Sequence, residues 1–156
     1  MKNAITILAL TLGSVLWAQS ANEATFKKIV EDSFQEIWSN NDESKISQYY
    51  TEDFLLLEDG EIWNNDSVKV AIKDIKSRFE SPENKIHKFQ RINKFEFIRS
   101  YSDTNSGWIV YHNYADILMN GNSIAKIHWI ETANFIKEKN GWRMNSLHST
   151  PFKEEK

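Results

Sequence analysis

The sequence predicts an α+β domain in which helices come first and cover one face of a curved antiparallel sheet. Three observations carry that prediction. Apolar residues in the first half of the chain recur at spacings of three and four, as a helix with one buried stripe requires. From Ile86 onward the chain changes to long aromatic and β-branched runs. Those runs are separated by short turn motifs, so a meander follows the helices rather than alternating with them.

Phe26, Ile29, Val30, Phe34, Ile37 and Trp38 place a broad apolar stripe on a helix from Glu23 to Ser39. Asn40-Asn41-Asp42 ends it, and a short helix carrying Ile46, Tyr49 and Tyr50 is expected from Glu43. Phe54 to Leu57 is a buried strand closed by the turn Glu58-Asp59-Gly60, with Ile62-Trp63 pairing back onto it. Asn65 or Asp66 can cap the next helix, whose buried stripe is Val68, Ile72, Ile75 and Phe79, with Lys69, Lys73 and Lys76 as its solvated side. Four long strands follow, at Phe89–Tyr101, Trp108–Met119, Ser123–Ile136 and Trp142–Ser149. Such a sheet cannot bury a face alone, so the amphipathic helices must cover it, and a pocket results where its concave face stands off from them.

The chain has 156 residues, 40% of them hydrophobic, 26% charged and 13% aromatic, which suits one domain with a full core. With 19 Lys and Arg against 22 Asp and Glu the net charge is -3, giving no electrostatic reason to bind a nucleic-acid backbone. The absence of cysteine removes disulfides, thiolate nucleophiles and cysteine metal sites. Lys2, the apolar run from Ala4 to Trp17 and the small residues of Ala18-Gln19-Ser20 read as a secretory signal peptide over residues 1–20. The run is shorter than the roughly 20 residues that span a bilayer, so no membrane attachment is expected after cleavage. The expected product is a periplasmic or secreted domain over 21–152 with a charged tail at 153–156.

Asn120-Gly121 is a hairpin signal because both central positions of a type I′ turn need positive φ. If those residues are the loop, Met119 faces Asn122, and the register follows by counting. Asn140-Gly141 sets the next hairpin in the same way. The expected concave face then carries Trp108, Val110, His112, Tyr114 and Asp116, then Trp129, Glu131, Ala133 and Phe135, then Trp142, Met144, Ser146 and His148. The opposite face holds Ile109, Tyr111, Asn113, His128, Ile130 and Leu147. A bulge in either hairpin would exchange part of these sets.

On this register His112, Glu131 and His148 share a face among tryptophans, a composition unusual for a plain core. Burial raises a glutamate's pKa and lowers a histidine's, which suits proton transfer near neutrality. The alternative is structural: Glu131 pairs with a histidine or a tyrosine hydroxyl and closes the pocket floor. Phe34, Trp63, Trp108, Tyr114 and Trp129 are the candidate ligand-binding aromatics. No HxH or HxxxH pair occurs, so a metal at His112, Glu131 and His148 is the weaker reading, with His87 and His128 elsewhere. Neither a G-x-S-x-G elbow nor a glycine-rich phosphate loop is present, and no motif calls for a cofactor.

The long helix, Tyr50-Thr51-Glu52-Asp53-Phe54, the capped helix, Trp129-Ile130-Glu131-Thr132-Ala133, Gly141-Trp142-Arg143-Met144 and Leu147-His148-Ser149-Thr150 together resemble the nuclear transport factor 2-like superfamily. The similarity spans nearly the whole mature chain and is nearest to its secreted bacterial SnoaL-like and ketosteroid isomerase-like branch. The resemblance implies a cone of helices on a strongly bent antiparallel sheet, a deep pocket between them, and homodimers through the sheet. It also implies where an isomerase would keep its machinery. Phe34 stands at the oxyanion-hole tyrosine, Ala133 at the oxyanion aspartate, and Glu58 or Asp59 at the base, so that oxyanion hole is missing and steroid isomerisation by that route is not expected.

Three functions are compatible with this reading. The first is a secreted domain that binds a small apolar or amphipathic molecule in an aromatic pocket. The second is a lyase, isomerase or cyclase without cofactor, using Glu58, Glu131 and a histidine as acid and base. The third is a dimeric assembly module with a vestigial pocket.

Overall fold

The first helix, α1, runs over residues 21–33 and widens into a π-helical turn at Phe34–Ser39. Its apolar stripe is buried as its spacing demands, with Phe26, Val30, Phe34 and Ile37 each at most 3% exposed. A 3₁₀ turn at Glu43–Lys45, begun by the Asp42 side chain accepting from the Ser44 amide, leads into the short helix α2, Ile46–Tyr49. Strand β1 is Tyr50–Glu58 and β2 is Glu61–Asn64. Asp59 and Gly60 join them with φ of 51° and 83°, the positive pair that a type I′ hairpin needs. Helix α3, Asn65–Glu80, is capped by Asn64 rather than by the expected Asn65 or Asp66; its Oδ1 accepts from the Ser67 amide at 2.9 Å. Strands β3 to β6 are Phe89–Ser102, Ser106–Met119, Asn122–Glu138 and Gly141–Pro151.

This computed structural model describes residues 21–80 and 88–152. The expected signal peptide, the charged tail, Ile86 and His87 lie outside the described residues. Among the described residues, no helix is long and apolar enough to cross a membrane.

The strands form one open six-stranded sheet in the order β2-β1-β6-β5-β4-β3. Its ladders are antiparallel except that β1 runs parallel to β6, which amends the expectation of a wholly antiparallel sheet. Hairpins impose antiparallel neighbours, but β1 and β6 meet only through the tertiary fold, so no turn dictates their direction. The helices pack on one face. Phe26 stacks on Phe135 with ring centroids 4.3 Å apart and meets Trp142 edge-on at 5.1 Å, while Phe34 reaches Phe95 at 5.4 Å. Gly107 allows this close approach, because a Cβ there would lie 2.5 Å from the Phe26 ring.

The register differs from the counted one for two local reasons. Asn120 and Gly121 do form the expected loop, at φ 51° and 81°, and Met119 pairs with Asn122. Leu118 then pairs with Ser123 but Ile117 with Ala125, so Ile124 is an extra residue, a β-bulge that exchanges the faces of β4 relative to β5. In the next hairpin Glu138 pairs with Gly141, and only the glycine has positive φ, 121°: the loop is Lys139-Asn140 followed by a glycine bulge. Farther along, Phe135 pairs with Met144 but Asn134 with Ser146, leaving Asn145 unpaired and exchanging faces again within β6. The inward face therefore carries Ile109, Tyr111, Asn113 and Ala115 beside Trp129, Glu131, Ala133 and Phe135, then Met144, Leu147 and Ser149. Trp108, His112, Tyr114, Ser146 and His148, expected inside, face outward.

Candidate functional site

Glu131 sits at the middle of β5 on the inward face and is only 3% exposed. Its carboxylate is held from both neighbouring strands: Asn113 Nδ2 on β4 donates to Oε2 at 3.1 Å, and Ser149 Oγ on β6 donates to Oε1 at 3.0 Å. The network extends across the sheet. Asn93 Nδ2 on β3 donates to Asn113 Oδ1 at 2.6 Å, and Arg91 Nε donates to Asn93 Oδ1 at 3.1 Å. Every donor in this line points from the arginine towards the glutamate, because a guanidinium can only donate and a carboxylate can only accept. Two amides thus separate the positive from the negative group.

The guanidinium of Arg91 lies among aromatic faces, with Cζ 5.5 Å from the Phe34 ring centre, 5.8 Å from Trp38 and 5.4 Å from Trp129. The π-helical turn brings Phe34 and Trp38 to this position, and Trp38 is steadied by its indole donating to the Tyr50 hydroxyl at 3.2 Å. No ion pair within 4 Å joins Arg91 to a carboxylate among the described residues. Phe34, Trp38, Leu56, Glu58, Arg91, Trp129, Glu131, Leu147 and Ser149 enclose a gap of about 40 Å³. A water needs roughly 10–15 Å³ by such a measure, so the gap takes a few waters or the polar head of a molecule. A wider depression, about 660 Å³, lies beside Glu43, Glu52, Asp66, Lys69 and Arg143, but it is open to solvent and none of these charged side chains is buried. We place the site at the smaller gap, where the buried Glu131 meets the half-buried Glu58 and Arg91.

Desolvation pushes the Glu131 carboxyl up to about 7, against the pull of Tyr111, Ser149, Asn113 and the Arg91 charge. Burial also raises Glu58, helped by the Asp59 charge and opposed by Arg91 and the nearby Trp129 and Ser149 donors. Burial draws the Arg91 guanidinium down, while Glu131, Glu58 and Tyr50 hold it up. Tyr50 is pushed up to about 12, chiefly by burial. Burial lifts the Tyr111 hydroxyl well above its usual pKa, and the neighbouring Glu131 lifts it further. The fully buried hydroxyl and the Glu131 carboxyl are close enough to interact, although no well-aligned hydrogen bond joins them.

Of the residues singled out in the sequence, the fold brings together Phe34, Glu58, Trp129 and Glu131. It separates the others. His112 and His148 face away from Glu131, His148 pairing with Thr132 and Leu57 on the exposed side. The two bulges are the reason. His112 instead meets His128, Nδ1 to Nε2 at 2.8 Å, beside Tyr114 stacked on His128 at 4.2 Å. Trp108 is outward and packs near Tyr101 at 6.4 Å. Trp63 on β2 packs at the edge of the core, its indole donating to Glu61 at 2.9 Å. Among the described residues, no group of three or more His, Asp and Glu is arranged to hold a metal ion.

Arg91, Tyr111, Asn113 and Ser149 were not singled out as site residues. A signal for Arg91 existed: Arg91, Asn93, Phe95 and Phe97 alternate with Ile92, Lys94 and Glu96, which is a strand with one aromatic face. Tyr111 and Asn113 were hidden by the Ile124 bulge, which no periodicity reveals.

At the sequence level no family model and no curated protein matches the chain. The fold, by contrast, is similar to known structures. ActVI-ORFA from Streptomyces coelicolor superposes with a TM-score of 0.68 at 13% identity, covering 88% of this chain and 99% of that one. LinA gives 0.63 at 9% identity, covering 85% and 87%. An NTF2-like protein from Cytophaga hutchinsonii gives 0.62 at 10% identity, covering 83% and 98%. The chain has the nuclear transport factor 2-like α+β fold, a scaffold that by itself assigns no chemistry.

Proposed function

We propose that this domain binds a small amphipathic molecule in the gap between α1 and the inward face of the sheet, acting in the periplasm or outside the cell after loss of residues 1–20. The observation that carries this reading is Arg91, a guanidinium held by three aromatic faces with no carboxylate in ion-pair reach. Rings of Phe34, Trp38 and Trp129 suit the flat apolar part of a ligand, and Arg91 suits an oxygen function. Because the gap holds only a polar head, the apolar part must seat against the rings as Trp38, half-buried, moves aside. The test is native mass spectrometry of protein purified from its own host. A bound small molecule, lost in Arg91→Met, is the expected result; protein of bare chain mass that also leaves Trp fluorescence unchanged across a set of aromatic acids and ketones would contradict it.

A second reading is favoured by the Glu131 pKa near 7: proton transfer without cofactor, as in a lyase, isomerase or cyclase. Glu131 would take the proton and Arg91 would stabilise the oxygen that gains charge. Deuterium exchange into an added enolisable ketone, followed by NMR and absent in Glu131→Gln, would support it. Homodimerisation through the outward sheet face is also proposed, since Ile92, Ile98 and Ile130 are exposed there. Light scattering at low and high protein concentration decides that point.

A further inference from the structure

Resting on the pocket reading above, we propose that the ligand is a small carboxylic acid captured as its anion together with one proton, the carboxylate on the terminal amino groups of Arg91 and the proton on Glu131. Arg91 spends its Nε–H on Asn93, and its two amino groups have no carboxylate within 4 Å, which leaves the planar fork that a carboxylate matches. The aromatic cage fixes the plane of that fork without neutralising its charge. The same gap already contains two carboxyl groups, Glu58 and Glu131, for one guanidinium. A third negative charge entering among them is opposed unless one carboxyl is protonated.

The groups facing Glu131 identify it as the one. Arg91 faces it from β3, Tyr111 from β4, and Tyr50 and Glu58 from β1, while α1 contributes only Phe34 and Trp38 to the gap. Glu131 is buried deeper than Glu58, which keeps partial contact with water, so the Glu131 charge loses more of its hydration than the Glu58 charge does. The buried Tyr111 hydroxyl beside Glu131 can donate to the carboxylate or accept from the protonated acid, so either form of Glu131 has a partner there. Binding an anion on Arg91 removes the positive field that favours ionised Glu131, and the proton follows. No bond is made or broken beyond that O–H.

The experiment is calorimetry of the purified protein with benzoate and its neutral analogue benzamide, at about pH 6 and about pH 8, in buffers of different ionisation enthalpy. Benzoate should bind with uptake of about one proton at the higher pH and weaken about tenfold per unit above about pH 7, while benzamide binds without pH dependence. Glu131→Gln should abolish uptake and slope while keeping benzoate binding. Arg91→Met should lose benzoate; if that variant fails to fold, the wild-type slope and Glu131→Gln still decide. Benzoate binding with no proton uptake, or a slope that survives in Glu131→Gln and disappears in Glu58→Gln, overturns the proposal while the pocket reading stands. Failure of both probes to bind at either pH overturns both.

Discussion

On the inward face of β3 to β5, the half-buried Arg91 and the buried Glu131 are tied to directed partners, Asn93, Asn113 and Ser149. On the outward face of the same strands, Lys94 and Glu96 are exposed and paired at 2.7 Å, and the half-buried His112 and His128 meet beside them. Solvent screens the outward pair, so it contributes little to stability. The inward groups pay a desolvation cost that appears as the raised Glu131 pKa. Residue type therefore does not separate site from surface in this sheet. What separates them is which side of the pleat each residue occupies, and a single bulged residue changes that.

The comparison is sharpest at neighbouring positions of one strand. Trp129 is 9% exposed on the inward face and Ile130 is 37% exposed on the outward one. Trp129→Ala should cost about 3–5 kcal/mol in urea unfolding, whereas Ile130→Ala should cost less than about 1 kcal/mol. A reversal of that order would mean that the register is misplaced. If the outward face pairs with a second copy, the Ile130 variant should instead show a concentration-dependent loss.

The second expected effect is the pH dependence of stability. Because the folded-state pKa of Glu131, about 7, lies above its reference value of 4.5, the fold favours the protonated form. Its contribution is complete below about pH 4.5 and is lost as pH rises through about 7, a difference of about 3 kcal/mol. Glu58 titrates with a shift of the same sign. Relative to the wild type, Glu131→Gln should therefore gain stability on going from about pH 5 to about pH 8, as read from denaturant midpoints. A variant that melts lower than the wild type at the higher pH and keeps the wild-type pH slope of benzoate binding would make Glu131 a structural buttress.

The smallest effect belongs to the outward imidazoles. His112→Gln removes the 2.8 Å contact with His128 but should change stability by no more than about 0.5 kcal/mol and leave pocket binding unaltered. Loss of binding in this variant would show that the outward face communicates with Arg91 and would remove the contrast between the two faces.

The sequence by itself determined the order and kind of the elements, because those depend on periodicity and on local turn chemistry. The stripe of α1, the Asp59-Gly60 and Asn120-Gly121 hairpins and the four long strands are all written within a few residues of where they act. It also marked Glu131 and Trp129 on one face of a strand, since a lone carboxylate in an apolar run can be read there, while Glu58 entered as a candidate base through the family resemblance. Only the tertiary structure decided which residues join them. Ile124 and Asn145 are extra residues in their ladders, and a bulge is set by how two strands pair, not by the periodicity of the strand that carries it. The parallel pairing of β1 with β6, which sets Glu58 beside Ser149, and the meeting of Arg91 with two aromatics of α1 join residues far apart in the chain, so their contacts arise from packing and leave no local pattern to read.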